Sequence, residues 1–170
     1  SFATENVGTD IEVTPAMTIT GAQADNYQLA QPENLSGNIT AKETTIGGDF
    51  TVEDKVYDGT DEATVSSSNL TLNGIVSGDD IILSNFEVSF AQAAQGSNIV
   101  VNINTADITG DDAGNYTLSL TNAPSTNAAI TPKELTVSGA SAEDKVYDGT
   151  TEATIIGASL EGIISGDNVT

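Results

Sequence analysis

Carboxylates are the side chains of this sequence with the greatest capacity for chemistry. The chain of 170 residues has 25 Asp and Glu against four Lys and Arg, a formal net charge of −21. Ca²⁺ takes about six to eight oxygen ligands, which loops rich in Asp, Asn and carbonyl groups can supply. The candidate calcium ligands are Asp79, Asp80, Asp111 and Asp112. Neither loop has the D-x-D-x-D-G spacing of a calcium-binding loop, so solvated turns are the competing interpretation and we expect no obligatory cofactor.

Several residue types are absent, and their absence excludes whole classes of site. The sequence has no His, Cys, Trp or Arg, so thiol nucleophiles, His-based catalysis and His or Cys zinc sites cannot form. Two carboxylates can act together in glycoside hydrolysis, but a chain this acidic contains such pairs by chance. Four cations cannot form the basic face that binds phosphates. We therefore expect no enzyme, no catalytic residue and no nucleic-acid partner.

The lysines and tyrosines are the other polar candidates. Each lysine should find a carboxylate, and the pairs within reach are Lys55 with Glu53 or Asp58, and Lys145 with Glu143 or Asp148. The more specific alternative to these ion pairs is a covalent Lys–Asn isopeptide crosslink. The tyrosines Tyr27, Tyr57, Tyr116 and Tyr147 are expected to be half-buried residues that close turns, with sugar stacking as the alternative.

An internal repeat organises all of these residues. The sequence of residues 53–60, EDKVYDGT, recurs 90 residues later at 143–150. Residues 19–27 likewise match 108–116, and 74–79 match 162–167. The match predicts three segments: 1–42 is the C-terminal half of one repeat (the back half), 43–133 is a complete repeat, and 134–170 is the N-terminal part of a third (the front half). They are either a window on a longer tandem array or halves that neighbouring chains complete.

The pattern within a repeat predicts an all-β fold. Apolar and polar residues alternate around Met17 and Ile19, Leu70 and Leu72, Phe86 to Phe90, and Tyr116 to Leu120. Gly- and Asp-rich turns separate these runs. We expect tandem antiparallel β-sandwich units of about 90 residues, immunoglobulin-like because 112–118 resembles a tyrosine corner, with a β-grasp-like sheet as the alternative. No apolar run reaches the ~20 residues of a membrane span, so we expect no membrane insertion in this segment.

The repeated motifs carry a family resemblance. Residues 55–60 and 145–150, the Gly-x-x-Ser-Gly-Asp turn, 110–118 and the closing 130–133 resemble the YDG-type tandem repeat of large bacterial surface adhesins, both filamentous-haemagglutinin-like and giant cell-surface adhesins. The resemblance implies an extracellular stalk or filament on the bacterial surface that extends a binding domain from the cell. Its implied partners are neighbouring repeats of the same protein. Two alternatives stay open: the repeats bind surface glycans or proteins directly, or they self-assemble by strand complementation.

Overall fold

The computed structural model describes all residues from 1 to 170, and its regular secondary structure is almost entirely β-strand. The strands are β1 (Gly8–Glu12), β2 (Ser36–Ile39), β3 (Lys42–Gly47), β4 (Phe50–Val52), β5 (Lys55–Val56), β6 (Val65–Ser68), β7 (Thr71–Asn73), β8 (Ile82–Phe90), β9 (Gly96–Thr109), β10 (Tyr116–Ser119), β11 (Ser125–Thr131), β12 (Thr136–Ser138), β13 (Ser141–Ala142), β14 (Ile155–Ile156) and β15 (Ser159–Glu161). Two 3₁₀ turns lie at equivalent repeat positions, Ala24–Asn26 and Ala113–Asn115. Neither turn has the length and apolar character that crossing a bilayer requires. The expected all-β class is confirmed.

The first of two compact units contains Ser1–Gly48, Asn69–Glu87 and Ile103–Pro124. Here β3 lies between β10, to which it is parallel, and β7, to which it is antiparallel, while β1 and β2 form a separate antiparallel pair. The buried side chains of this unit are Thr44, Ile46, Ile103 and Tyr116. The buried hydroxyl of Thr44 has a hydrogen-bond partner, because its Oγ1 donates to the carbonyl of Asn73 at 2.7 Å.

The second compact unit contains Asp49–Ser68, Val88–Asn102 and Ser125–Thr170. Strand β11 pairs antiparallel with β9 and parallel with β5, while β4 with β6, β12 with β15, and β13 with β14 form antiparallel pairs. Its core consists of Phe50, Val88, Phe90, Ile99, Val101, Ala128 and Ile130. The burial of Val88 and Phe90 confirms the alternation predicted for this part of β8.

All buried residues of the chain fall within the complete repeat. The first of them along the chain is Thr44 and the last is Ile130. Residues 1–42 and 134–170 contain paired strands but no buried side chain. The complete repeat therefore holds the hydrophobic cores, and the repeat boundaries themselves stay a prediction from the sequence.

Two sequence expectations need correction. Pairing is not antiparallel throughout, because β10–β3 and β11–β5 are parallel. Parallel pairing requires a long crossover connection, and the paired strands lie far apart in the sequence. Met17 and Ile19 were expected in a strand, but they lie outside the strands and are exposed. Ile19 aligns with Ile108, which lies in β9, the strand that pairs with β8. Within residues 1–42 almost no residue aligns with β8, so the segment around Ile19 has no equivalent strand to pair with.

Candidate functional site

The repeated turn at residues 55–60 is closed by its own hydrogen bonds. Asp58 Oδ1 accepts from the backbone N–H and from Oγ1 of Thr60, both at 2.9 Å. The Lys55 ammonium lies 2.8 Å from the same oxygen. It also donates to the carbonyls of Thr60 and Glu62, both at 3.1 Å, and to Thr60 Oγ1 at 2.9 Å. Lysine, aspartate and threonine thus form one connected cluster.

The second copy of the turn reproduces this geometry. Lys145 Nζ lies 3.0 Å from Asp148 Oδ1 and donates to the Thr150 carbonyl at 3.0 Å and to Thr150 Oγ1 at 2.8 Å. Both bonds from Thr150 to Asp148 measure 2.9 Å. The bonds within residues 145–150 are those found within residues 55–60, although the burial of the two copies differs, so the local sequence is sufficient to form the turn.

The turn shifts the pKa of its carboxylate. The hydrogen bond from Lys55, followed by the backbone N–H of Thr60, lowers the pKa of Asp58 from 3.8 to about 2. In the second copy the pKa of Asp148 is also lowered, first by the backbone N–H of Thr150 and then by Lys145. The predicted lysine partners Asp58 and Asp148 are confirmed, and the ion pairs do not involve the alternatives Glu53 and Glu143.

Gly59 and Tyr57 connect the first turn to the front half. Gly59 has a φ of +84°, and a Cβ at this position would lie 3.0 Å from Ile164 Cγ2. The half-buried Tyr57 donates its hydroxyl proton to Asp167 Oδ1 at 3.1 Å, and this bond raises the pKa of Tyr57. Beside it is a cavity of about 370 Å³, lined mostly by apolar residues that include Leu135 and Ile163. Sequence reasoning missed this contact between successive repeats.

Tyr116 is the most completely satisfied tyrosine. It is buried, donates to Asp79 Oδ2 at 2.6 Å and accepts from the backbone N–H of Val76 at 2.9 Å. Burial, followed by the bond to Asp79, raises its pKa. In a tyrosine corner the tyrosine hydroxyl bonds to backbone only a few residues upstream. The Tyr116 hydroxyl instead bonds to the backbone of Val76, 40 residues away, so the expected tyrosine corner is not formed.

Two other tyrosines depart from the expectation of half-burial. Tyr27 is 74% exposed and Tyr147 is 93% exposed. Tyr27 aligns with Tyr116, but no residue aligned with Asp79 packs against it. Tyr147 aligns with Tyr57, and no residue aligned with Asp167 contacts it. Each exposed tyrosine therefore occupies the same repeat position as a more buried tyrosine but has no carboxylate acceptor for its hydroxyl.

The structure uses two of the four candidate calcium ligands as hydrogen-bond acceptors. Asp79 accepts from Tyr116, and Asp112 Oδ2 accepts from the backbone N–H of Asp80 at 2.8 Å. The Asp80 and Asp111 side chains are exposed. No group of three or more acidic side chains is arranged to hold a metal ion. A calcium site at these aspartates stays an alternative to solvated turns, and the isopeptide crosslink stays an alternative to paired lysines.

Most of the chain matches one known domain family. The sequence model of the YDG domain matches residues 40–126 and again residues 131–170. The chain belongs to the YDG domain family. Its two YDG turns are the hydrogen-bonded clusters around Asp58 and Asp148. No curated protein and no solved structure gave a significant match to this YDG chain.

Proposed function

We propose that this YDG chain is a structural segment of a stalk or filament on the bacterial cell surface, where tandem repeats extend a binding domain away from the cell. The role is mechanical, so no residue acts as a catalyst and no cofactor is needed. The single observation that carries the proposal is the close succession of repeats: only residues 132–135 separate β11 of the complete repeat from β12 of the next. Pro132 restricts φ in this short connection, which favours a stiff junction over a flexible linker.

Two further features support a mechanical role. Tyr57 and Asp167, on successive repeats, are joined by a hydrogen bond, so the junction has a side-chain contact as well as a short connection. The net charge of −21 makes repeats repel one another within about one Debye length, ~8 Å at physiological salt, which opposes collapse of an array.

The repeat architecture is part of this proposal. We expect tandem β units of about 90 residues, either immunoglobulin-like sandwiches or β-grasp-like sheets. The parallel pairs β10–β3 and β11–β5 favour the β-grasp-like alternative, because an immunoglobulin-like sandwich consists of antiparallel sheets.

Chains with additional copies of residues 43–133 inserted after residue 133 test the stalk function. Small-angle X-ray scattering should show a maximum dimension that grows by roughly 25–35 Å with each inserted repeat, two to three times the ~12 Å radius of gyration of such a unit. A maximum dimension that grows only as the cube root of chain length would reject an extended array. Binding of the same chains to a glycan array would instead support direct ligand recognition by the repeats.

A further inference from the structure

Asn73 is the only asparagine of the chain that is followed by glycine. An asparagine loses its side-chain amide when the backbone nitrogen of the next residue attacks its side-chain carbonyl carbon, Cγ. A side chain on the attacking residue hinders this approach, and glycine has none. The pair Asn73-Gly74 is therefore the place in the chain where this reaction is least hindered.

The structure exposes this pair at the end of a strand. Asn73 is the last residue of β7, and Gly74 lies beyond the strand with a φ of +85°. Both residues are exposed, and the atom nearest to a Cβ placed on Gly74 is the carbonyl oxygen of Glu43, at 3.5 Å. Solvent therefore reaches the pair, and glycine gives the backbone freedom to turn during the attack.

No hydrogen bond to the rest of the chain restrains the side-chain amide of Asn73. The amide lies against the backbone of Gly47 in the paired strand β3, where a Cβ would come within 2.5 Å of Asn73 Nδ2. The Thr44 hydroxyl binds the backbone carbonyl of Asn73 and leaves its side chain free. The amide nitrogen can therefore depart without breaking a hydrogen bond of the fold.

The two Asp-Gly pairs of the chain can form the same cyclic intermediate, but the YDG turns restrain them. Asp58 Oδ1 accepts from the Lys55 ammonium and from Thr60, and these bonds lower the pKa of Asp58 to about 2. The carboxyl is thus ionised at neutral pH, and a carboxylate is a poor target for a nucleophile. Asp148 is held in the same way. Asn73, neutral and unrestrained, should react before either aspartate.

We propose that Asn73 is a site of spontaneous deamidation in the folded chain. The Gly74 nitrogen forms a bond to Cγ of Asn73 while the bond from Cγ to Nδ2 breaks, and the proton of the Gly74 N–H leaves with the ammonia. Water then opens the resulting cyclic imide. Opening at Cγ gives aspartate, and opening at the backbone carbonyl gives isoaspartate, whose main chain runs through the β-carbon. The inference does not depend on the proposed stalk function.

The two products differ in their effect on the sheet. The next repeat carries Glu161 at the position of Asn73, and β12–β15 has the same register there as β3–β7. An acidic side chain is therefore compatible with this strand pair. Isoaspartate instead adds a methylene group to the main chain and displaces the carbonyl that the buried Thr44 hydroxyl binds at 2.7 Å. Because a buried hydroxyl without a partner is costly, the end of β7 should detach from β3.

Peptide mapping by mass spectrometry tests the site. The folded 170-residue chain is incubated at neutral and at alkaline pH, and every asparagine is followed for the mass change from amide to acid. Asn73 should convert first, and faster at alkaline pH because the attacking nitrogen must lose its proton. Isoaspartyl methyltransferase should detect isoaspartate among the products. Asn73→Gln is the matched control and should convert at least about ten-fold more slowly, because a larger ring must close.

Urea unfolding then tests the effect on β7. Deamidation adds one negative charge, so ion exchange separates the products from the unaltered chain. The isoaspartate fraction should unfold at a lower urea midpoint than the Asn73→Asp chain, which stands for the other product. Earlier conversion of a different asparagine, or conversion of Asn73 in urea but not in the folded chain, would overturn the site. Equal midpoints would overturn the predicted detachment of β7.

Discussion

At the residue scale, a single carboxylate oxygen organises each YDG turn. Asp58 Oδ1 receives the Thr60 backbone N–H, the Thr60 hydroxyl and the Lys55 ammonium, and Asp148 has the same partners in the second copy. The ammonium is in turn occupied by backbone carbonyls. These residues are therefore committed to closing the turn, which explains their co-occurrence without a ligand.

The lowered pKa of Asp58 leads to a pH prediction. In NMR titrations of the folded chain we expect the Asp58 carboxyl to titrate near 2, whereas in urea it should titrate near ~3.9. Because the folded-state pKa is depressed, this stabilisation is complete above the unfolded-state value and is lost as pH falls through about 2.

A matched variant separates the causes of that shift. Lys55→Met removes the largest cause and should raise the pKa of Asp58 towards its ordinary value, while Lys145→Met should leave Asp58 unchanged and raise the pKa of Asp148. A folded-state titration of Asp58 at the ordinary aspartate value in the unaltered chain would contradict the described cluster.

At the element scale, paired strands form in all three segments, but only some pairs enclose a core. The pair β9–β11 carries the buried Ile99, Val101 and Ile130, whereas the equivalent pair β1–β2 carries no buried residue. Strand pairing satisfies backbone hydrogen bonds locally, and burial requires a second layer of side chains. Stability should therefore be concentrated in the complete repeat.

Equivalent phenylalanines test this uneven distribution. Phe90→Ala should lower the free energy of unfolding by about 3–5 kcal/mol, because it leaves a cavity in the core. Phe2→Ala, at the equivalent repeat position but exposed, should cost less than about 1 kcal/mol. Urea unfolding monitored by circular dichroism, at a concentration where the chain is monomeric, measures both losses. Equal losses would show that residues 1–42 share the stability of the core.

At the scale of the whole molecule, the excess of carboxylates is the dominant electrostatic feature. With a net charge of −21, like-charge repulsion opposes the compact state and is weakened by salt. Monovalent salt should therefore stabilise the chain without binding at any particular site.

Salt titration separates general screening from a calcium site. The urea midpoint at neutral pH should rise between 20 and 500 mM NaCl, concentrations that shorten the Debye length from roughly 20 Å to about 4 Å. Calcium and magnesium chlorides at equal ionic strength should shift the midpoint equally. A larger shift with calcium that Asp79→Asn or Asp112→Asn abolishes would instead establish calcium binding at the candidate aspartates.

Much of the fold and of the site was predictable from local sequence. Alternation predicted the strands around Val88 and Phe90, and Asp58 was one of the two partners predicted for Lys55. Parallel pairing of β10 with β3 was not predictable, because nothing in either strand encodes a partner more than seventy residues away. Asp79 and Asp167, which accept hydrogen bonds from tyrosine hydroxyls, were not predicted for the same reason. The sequence does show that these two aspartates occupy equivalent positions in the repeated Ser-Gly-Asp turn.

The sequence by itself determined the repeat, which the recurrence of residues 53–60 at 143–150 shows directly. It also determined the all-β class and the YDG turn, because alternation along a strand and the bonds that close the turn involve residues only a few positions apart. Tertiary structure alone decided which equivalent residues are buried. Tyr116 and Tyr27 occupy the same repeat position, yet only Tyr116 has Asp79 and a neighbouring strand beside it. A side chain leaves water only where other parts of the chain surround it, and that depends on which segments meet in space.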